Sequence, residues 1–263
     1  MKVEFKRVPA LDKCFSILDF FARKKEPLGI TEISSALSIN KSTVFNIVYT
    51  LTDLGVLENN SNKFRFGAKL YLLGKMAEKG SELIRNIHPY LEEISQKTNL
   101  SSFLGMRAGL KAVILDKAES DFDIKISSEI GTQIPLIAGA HGKALLSQLS
   151  DAKIDEILSQ ITLRRFTRYS CVDKKKYRKM INEVRKEGIS VEKEEYIEGI
   201  RALAVPLNIN REDLQVAIWA VGLKSQFKDG VISKYSSFMK EIAEKIENQF
   251  SFRKMCRSDE STL

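Results

Sequence analysis

In the stretch KSTVFNIVYTLTDL, Lys41–Leu54, the residues Ser42, Asn46, Tyr49 and Asp53 recur at intervals of three or four. Advancing 100° per residue gathers them on one side of a helix, with Phe45 at its edge. Val44, Ile47, Val48, Leu51 and Leu54 fill the opposite arc. Such a helix packs on one side and offers hydroxyl, amide and aromatic groups on the other. Ser42 and Thr43 fall in its first turn, where hydroxyls and free amides can take a phosphate oxygen. Asn46, in mid-helix, carries the donor–acceptor pair that matches adenine. Tyr49 can reach phosphate or sugar. Phe45 either touches a thymine methyl or simply covers the edge of a helix bundle.

Two helices must position that face. Leu11–Arg23 has a stripe of Phe15, Leu18 and Ala22, widened by Ile17, Phe20 and Phe21, and Pro27-Leu28-Gly29 ends it. Thr31 is placed to cap a short helix through Leu37, Ser38-Ile39-Asn40 is the turn, and Asn40 caps the next helix through its side-chain oxygen. Helix, three-residue turn, helix is the layout whose second helix enters the major groove. Gly55–Glu58, the polar turn Asn59-Asn60-Ser61-Asn62 and Lys63–Phe66 then form a hairpin. Phe64 and Phe66 alternate inward, and Lys63 and Arg65 outward, as a wing with two cations for phosphates. The nucleic-acid candidates are therefore Thr31, Lys41, Ser42, Thr43, Phe45, Asn46, Tyr49, Lys63 and Arg65, and the expected partner is double-stranded DNA.

The remaining chain has another texture. Helices alternate with β-rich runs at Lys111–Lys117, Ile189–Glu192, Ala202–Asn208 and Leu214–Val221. Between the halves lies AKLYLLGKMAEK, Ala68–Lys79, where Leu70, Leu73 and Ala77 recur at helical spacing. We divide the chain into residues 1–66 (winged helix-turn-helix), 67–79 (linker helix), 80–252 (a second domain) and 253–263 (a disordered tail). The class is α+β. The apolar stripe of the linker calls for a partner, so a homo-oligomer is expected.

With 43% hydrophobic and 29% charged residues, 263 residues can bury packed cores. A net charge of +8 and a pI near 9.2 suit polyanions. Cys14, Cys171 and Cys256 lie far apart without CxxC spacing, which disfavours a disulfide framework. His88 and His141 are the only histidines and neither has a partner at ligand spacing, so no metal, cofactor or catalytic residue is implied. The start lacks an apolar signal-like run, and LQVAIWAVGL, Leu214–Leu223, is half the ~20 residues a membrane span needs. A soluble cytoplasmic protein without membrane contact is expected. The most basic segment, Arg164–Arg168 with Lys174–Lys179, is either a second DNA contact or a solvated helix face over inward Tyr177, Met180, Ile181 and Val184; the second reading is favoured.

Three stretches together carry a family resemblance. Lys41-Ser42-Thr43-Val44 runs on to Leu51-Thr52-Asp53-Leu54-Gly55-Val56-Leu57. The second stretch is Pro135–Leu146, PLIAGAHGKALL. The third runs from Gly188-Ile189-Ser190 through Glu194–Pro206, EEYIEGIRALAVP. In that order they resemble the IclR family of transcription regulators. The resemblance implies a C-terminal GAF-like sensor domain, with an antiparallel sheet flanked by helices. It also implies operator binding as a homodimer or dimer of dimers, and a small-molecule effector, often an organic or aromatic acid. Many relatives have Arg at the position of Asn46, so their base preference does not transfer.

The positions matching effector-lining residues are Ile126, Ile134, Ala140, His141, Glu192, Ile200, Ala202, Trp219 and Val221. Relatives that bind small oxo-acids carry Ser at the last two, where this chain has Trp219 to fill space and Val221 without a donor. His141 either supplies an N–H or is a surface-loop histidine. Glu192 is either a pocket carboxylate or part of a solvated acidic loop with Glu194 and Glu195. The small residues Gly139–Lys143 precede an apolar helical run and leave amides open for a carboxylate at Ala140–Gly142. They do not form a Walker A loop, because Ile137 stands at its first Gly and Ala144 at its Ser/Thr. An effector flatter or more apolar than a two- or three-carbon oxo-acid is expected. Repression is favoured over activation. The alternative is an enzyme built on a GAF-like domain, its helix-turn-helix used for protein contacts; no convergent acid, base or nucleophile supports it.

Overall fold

The computed structural model describes residues 6–80, 82–209, 214–228 and 230–260, without side chains over 75–82 and 252–260. The chain divides into two compact units, through Ser81 and from Glu82.

In the first unit α1 (Pro9–Lys24), α2 (Ile30–Leu37) and α3 (Lys41–Asp53) are followed by the hairpin β1 (Leu57–Asn60) and β2 (Lys63–Phe66), then α4 (Ala68–Gly80). Ile17, Phe21, Ile33, Val44, Val48, Leu51, Leu57 and Phe64 form its core. The inward stripe of α1 is thus Cys14, Ile17 and Phe21, and Phe15 faces out at 65% exposure, a rotation from the stripe read in the sequence. With Phe20 and Phe21 adjacent, the sequence allows either rotation, and only the shape of the bundle decides. Two cap assignments also change. Gly29, not Thr31, is the N-cap of α2, and Glu32 Oε2 accepts from the Gly29 amide at 2.6 Å. Asn40 holds the N-cap position of α3 but makes no side-chain cap bond. On α3, Leu54 falls at the C-cap and is half exposed. Of the wing phenylalanines, Phe64 is fully buried, while Phe66 at the strand end is 41% exposed and packs at a tilt against Phe21.

The second unit is built on a six-stranded, wholly antiparallel sheet. Its strands are β3 (Ser101–Ala108), β4 (Lys111–Ala118), β5 (Gln133–Pro135), β6 (Ser190–Lys193), β7 (Ile200–Leu207) and β8 (Val216–Leu223), in the order β5-β4-β3-β8-β7-β6. Successive side chains alternate between faces. Leu104, Leu203, Val205, Val216 and Ile218 enter the core shared with α5 (Glu82–Thr98) and α9 (Val231–Glu260). Phe103, Ala202, Ala204, Ala217 and Trp219 enter the opposite core, with α6 (Gly139–Leu146), α7 (Asp151–Gln160) and α8 (Lys174–Glu187). β3, with Gly105 in mid-strand and few β-branched residues, and the three-residue β5 carry too little pattern to be read from sequence. Where a tail from 253 was expected, α9 continues to Glu260, and 261–263 lie outside the described residues.

α8 shows the favoured amphipathic face: Tyr177, Ile181 and Val184 are buried, while Lys174–Lys176 are exposed. Among the described residues no helix is long and apolar enough to cross a membrane.

Candidate functional site

On the first unit, Lys41, Ser42, Phe45, Asn46 and Tyr49 are exposed along one face of α3, with Thr43 half-buried beside them. Thr31 is exposed on α2. Phe45 and Tyr49 are not independent. Their rings lie 4.4 Å apart, and Tyr49 meets Phe64 edge-on at 5.5 Å, so an aromatic ladder runs from the surface of α3 into the wing. The two wing cations are also engaged. Lys63 Nζ is 2.7 Å from Glu32 Oε2, and Arg65 donates to Glu58 Oε2 at 3.0 and 3.2 Å. Lys63 and the Gly29 amide hold the Glu32 carboxyl below the usual range. The sequence reading placed both cations for phosphates and did not foresee a carboxylate beside each. Glu32 is 31 residues from Lys63, and Glu58 becomes opposite Arg65 only through the hairpin register.

The nine sequence-matched positions of the second unit come together. Ile126, Ile134, Ala140, His141, Glu192, Ile200, Ala202, Trp219 and Val221 all line one cavity of about 100 Å³, joined by Phe103, Ile114, Tyr196 and others. Strand register builds its floor: Trp219 pairs across to Phe103 and Ala204, and Val221 to Ala202, which pairs in turn to Glu192. Trp219 is 2% exposed, stacks on Phe103 at 5.9 Å and lies 5.2 Å from His141. It forms a wall of the cavity and does not plug it. The loop carrying Ile126 and Ser128 is tied down by Glu119, which takes Lys117, Lys125 and Ser127 and whose carboxyl they hold down to about 2.

The roof is α6. Gly139–Lys143 does not precede a helix but forms its first turns, all buried. The open amides are accordingly those of Gly139 to His141, one residue earlier than expected. Gly142 is required by space: a Cβ there would stand 1.7 Å from the Leu136 carbonyl oxygen. His141 is buried, not a surface-loop residue. Burial and the nearby Lys143 charge lower its pKa to about 4, so it is neutral at pH 7. The ring's Nε2 is itself buried and has no hydrogen-bond partner among the described residues.

The acidic segment is not a solvated loop either. Glu192 is buried and accepts the Glu195 and Tyr196 amides at Oε1, and burial pushes its carboxyl up to about 7. Glu194 meets Lys224 at 2.9 Å and Arg201 at 3.4 Å. Glu195 takes both bonds of the fully buried Lys143, each 2.8 Å. That ion pair was missed, because the two residues are 52 apart in sequence and Lys143 lies in an apolar run. Thr167 and Ser170 hydroxyls donate to the Glu194 and Glu195 carbonyls, pinning the segment. Of the three cysteines, Cys14 and Cys171 are free thiols; the side chain of Cys256 lies outside the described residues, as does that of Ala77 in the linker.

A helix-turn-helix with a wing, followed by an α+β unit that encloses a cavity on one sheet face, defines a DNA-binding transcription regulator with a ligand-sensing domain. Comparison with known proteins agrees. Residues 10–61 match the IclR helix-turn-helix domain, and residues 76–248 match the bacterial transcriptional regulator IclR C-terminal domain. The chain belongs to the IclR family of transcriptional regulators. The regulator KdgR of Escherichia coli is 28% identical over 93% of this chain and 94% of its own. An IclR regulator structure from Alicyclobacillus acidocaldarius superposes with a TM-score of 0.82 at 22% identity, covering 92% of this chain and 99% of that one. An IclR homologue from Microbacterium hydrocarbonoxydans, solved with 4-hydroxybenzoate, gives 0.76 at 19% identity, covering 92% and 99%.

Proposed function

We propose that the first unit reads an operator in double-stranded DNA and that the cavity of the second unit binds a small organic or aromatic acid which retunes that binding. The observation that carries this is the coexistence, in one chain, of an exposed polar face on α3 and a separate cavity enclosed by nine matched positions. Asn46 reads a base, Ser42, Thr43 and Tyr49 position the helix on the backbone, and Thr31, Lys41, Lys63 and Arg65 flank them. In the cavity a flat ring lies along Trp219, and its carboxylate takes the α6 amides between Gly139 and His141. The homologue that holds 4-hydroxybenzoate supports a single-ring acid as the class of ligand.

The protein acts as a homodimer or dimer of dimers in the cytoplasm, by binding and not by turnover. The support is a second apolar stripe, Val8 at the N-cap of α1 with Leu11 and Phe15 on it, which are 53%, 58% and 65% exposed, together with Tyr71, Leu72 and Leu73 of α4. A single winged domain buries too little surface for tight discrimination. Effector binding favours one arrangement of the sensor domains, and the linkers pass this to the spacing of paired DNA-binding domains. Repression follows from promoter occupancy alone. The test is a footprint on the DNA upstream of its own gene across a salt series, then a screen of organic acids on that complex. A specific, steeply salt-dependent footprint released by one acid is expected; no footprint at low salt overturns the proposal.

A further inference from the structure

Phe45, on α3, is 48% exposed and lies outside the buried core of the first unit. A ring that served to cover the bundle edge would be shielded there, whereas this one leaves about half its surface in water. It is nevertheless held in place. Its ring lies 4.4 Å from that of Tyr49, tilted by 36°, and Tyr49 meets the fully buried Phe64 edge-on at 5.5 Å. Phe64 is fixed in turn by two backbone hydrogen bonds with Leu28, one in each direction, both 2.9 Å. The exposed ring is the outer end of a ladder rooted in the core. Packing of this kind restricts the rotations that an exposed side chain otherwise keeps, so little ordering entropy is left to lose on contact.

Its neighbours on the helix are the polar readers. Phe45 directly precedes Asn46, and Ser42 and Tyr49, three residues before and four after it, lie on its side of α3. Asn46 brings an amide that can form two hydrogen bonds, and Phe45 brings a ring that forms none with a base edge. Such a ring has no acceptor for the N4 amine of cytosine and no donor for O6 or N7 of guanine. Pressed against either, it would strip water from a polar group and leave that group unpaired. The apolar group that the major groove presents is the C5-methyl of thymine, and there both surfaces leave water favourably.

We infer that Phe45 is a specificity-determining residue that reads a thymine through its C5-methyl, with Tyr49 as the positioning residue behind it. This rests on the reading of α3 as the helix that enters the major groove, and it names a base which that helix selects. Asn46 and Phe45 divide the readout between them, the first by hydrogen bonds and the second by apolar contact.

The experiment starts with duplexes selected from a random pool by the full chain. Each thymine of the selected site is then replaced singly by deoxyuridine, which keeps the base pair and removes only the methyl. At one thymine of each half-site the replacement is expected to weaken binding about threefold to tenfold. This scan uses the unmodified protein and depends on no variant. Phe45→Ala is expected to erase the difference between thymine and deoxyuridine at that position, while Asn46→Ala retains it. Tyr49→Leu, which removes the supporting ring, is expected to shrink the ratio. Loss of a backbone contact alone would weaken both duplexes equally and leave the ratio unchanged. An unchanged ratio in Tyr49→Leu overturns its positioning role. A selected site in which no thymine methyl matters overturns the inference and leaves the operator reading standing, as does a methyl effect that survives Phe45→Ala. If the full chain selects no sequence at all, the operator reading fails and the inference with it.

Discussion

A Cβ on Gly105 would stand 2.4 Å from Cη2 of Trp219 and 2.7 Å from Cζ3. The indole reaches across the sheet from β8 over the one position of β3 without a side chain, and there it forms the wall of the cavity. Gly105→Ala must push the ring aside. Overpacking of this kind costs about 1–3 kcal/mol. We expect that loss in chemical denaturation, together with a shifted emission maximum from the single tryptophan. Unchanged stability and emission would show that the indole is not seated as described.

The wing pairs make a prediction about salt. Asn46→Ala is expected to relax base preference by ~1–3 kcal/mol at one position of each half-site. Arg65→Ala instead weakens all sequences about equally and lowers the salt slope by about one. Because Arg65 is paired with Glu58, Glu58→Gln should free the cation and raise affinity for specific and scrambled DNA alike. Binding isotherms for the two DNAs from low to moderate salt check all three. Identical behaviour of Asn46→Ala and Arg65→Ala would remove the division between readout and positioning.

Two buried groups oppose each other in the pH dependence of stability. The pKa of His141 is about 4 in the folded chain, below its ordinary 6.5, so between these values the unfolded chain binds more protons and stability rises with pH. That of Glu192 is about 7, above its ordinary 4.5, so the folded chain holds the extra proton and stability falls as pH rises from about 4.5 through about 7. Their effects partly cancel between about pH 4.5 and 6.5. In that window Glu192→Gln should leave a steeper rise with pH than the parent, and His141→Phe a net fall. Denaturant midpoints at half-unit pH steps read the two slopes.

Lys143→Met removes one partner of a buried, doubly bonded ion pair and leaves Glu195 without its cation. Breaking such a pair costs about 3–5 kcal/mol, while replacing both members by apolar groups is often far milder. Lys143→Met with Glu195→Leu should therefore recover much of the loss. Additive losses in the double-mutant cycle would place the two residues out of contact.

On α1, Phe15→Glu puts a charge on the exposed stripe and leaves the buried Ile17 and Phe21 untouched. It is expected to shift the protein toward monomer in sedimentation and to weaken operator binding, with little change in melting temperature. A parent protein that is monomeric at micromolar concentration with full operator affinity would contradict the proposed assembly.

The sequence by itself determined the helix-turn-helix, the hairpin, the α+β class and the nine positions that line the cavity. Local periodicity and turn residues specify the DNA-binding elements because their contacts are close in the chain, and the nine cavity positions came from the family resemblance, with Ala140, His141, Glu192, Ile200 and Ala202 inside the matched stretches and the other four outside them. Only the tertiary structure decided the states of the charged and polar groups. Glu192, Glu194 and Glu195 read as one solvated run, yet each has its own partners: Lys143 reaches Glu195, Arg201 and Lys224 reach Glu194, and Glu192 is buried on the Glu195 and Tyr196 amides. Lys63 and Arg65 read as wing cations, and only the fold sets Glu32 and Glu58 beside them; His141 read as an N–H donor or a surface-loop residue, and only the fold buries it. Pairing and burial depend on which atoms from distant segments arrive within hydrogen-bond reach, and no periodicity in the chain encodes that.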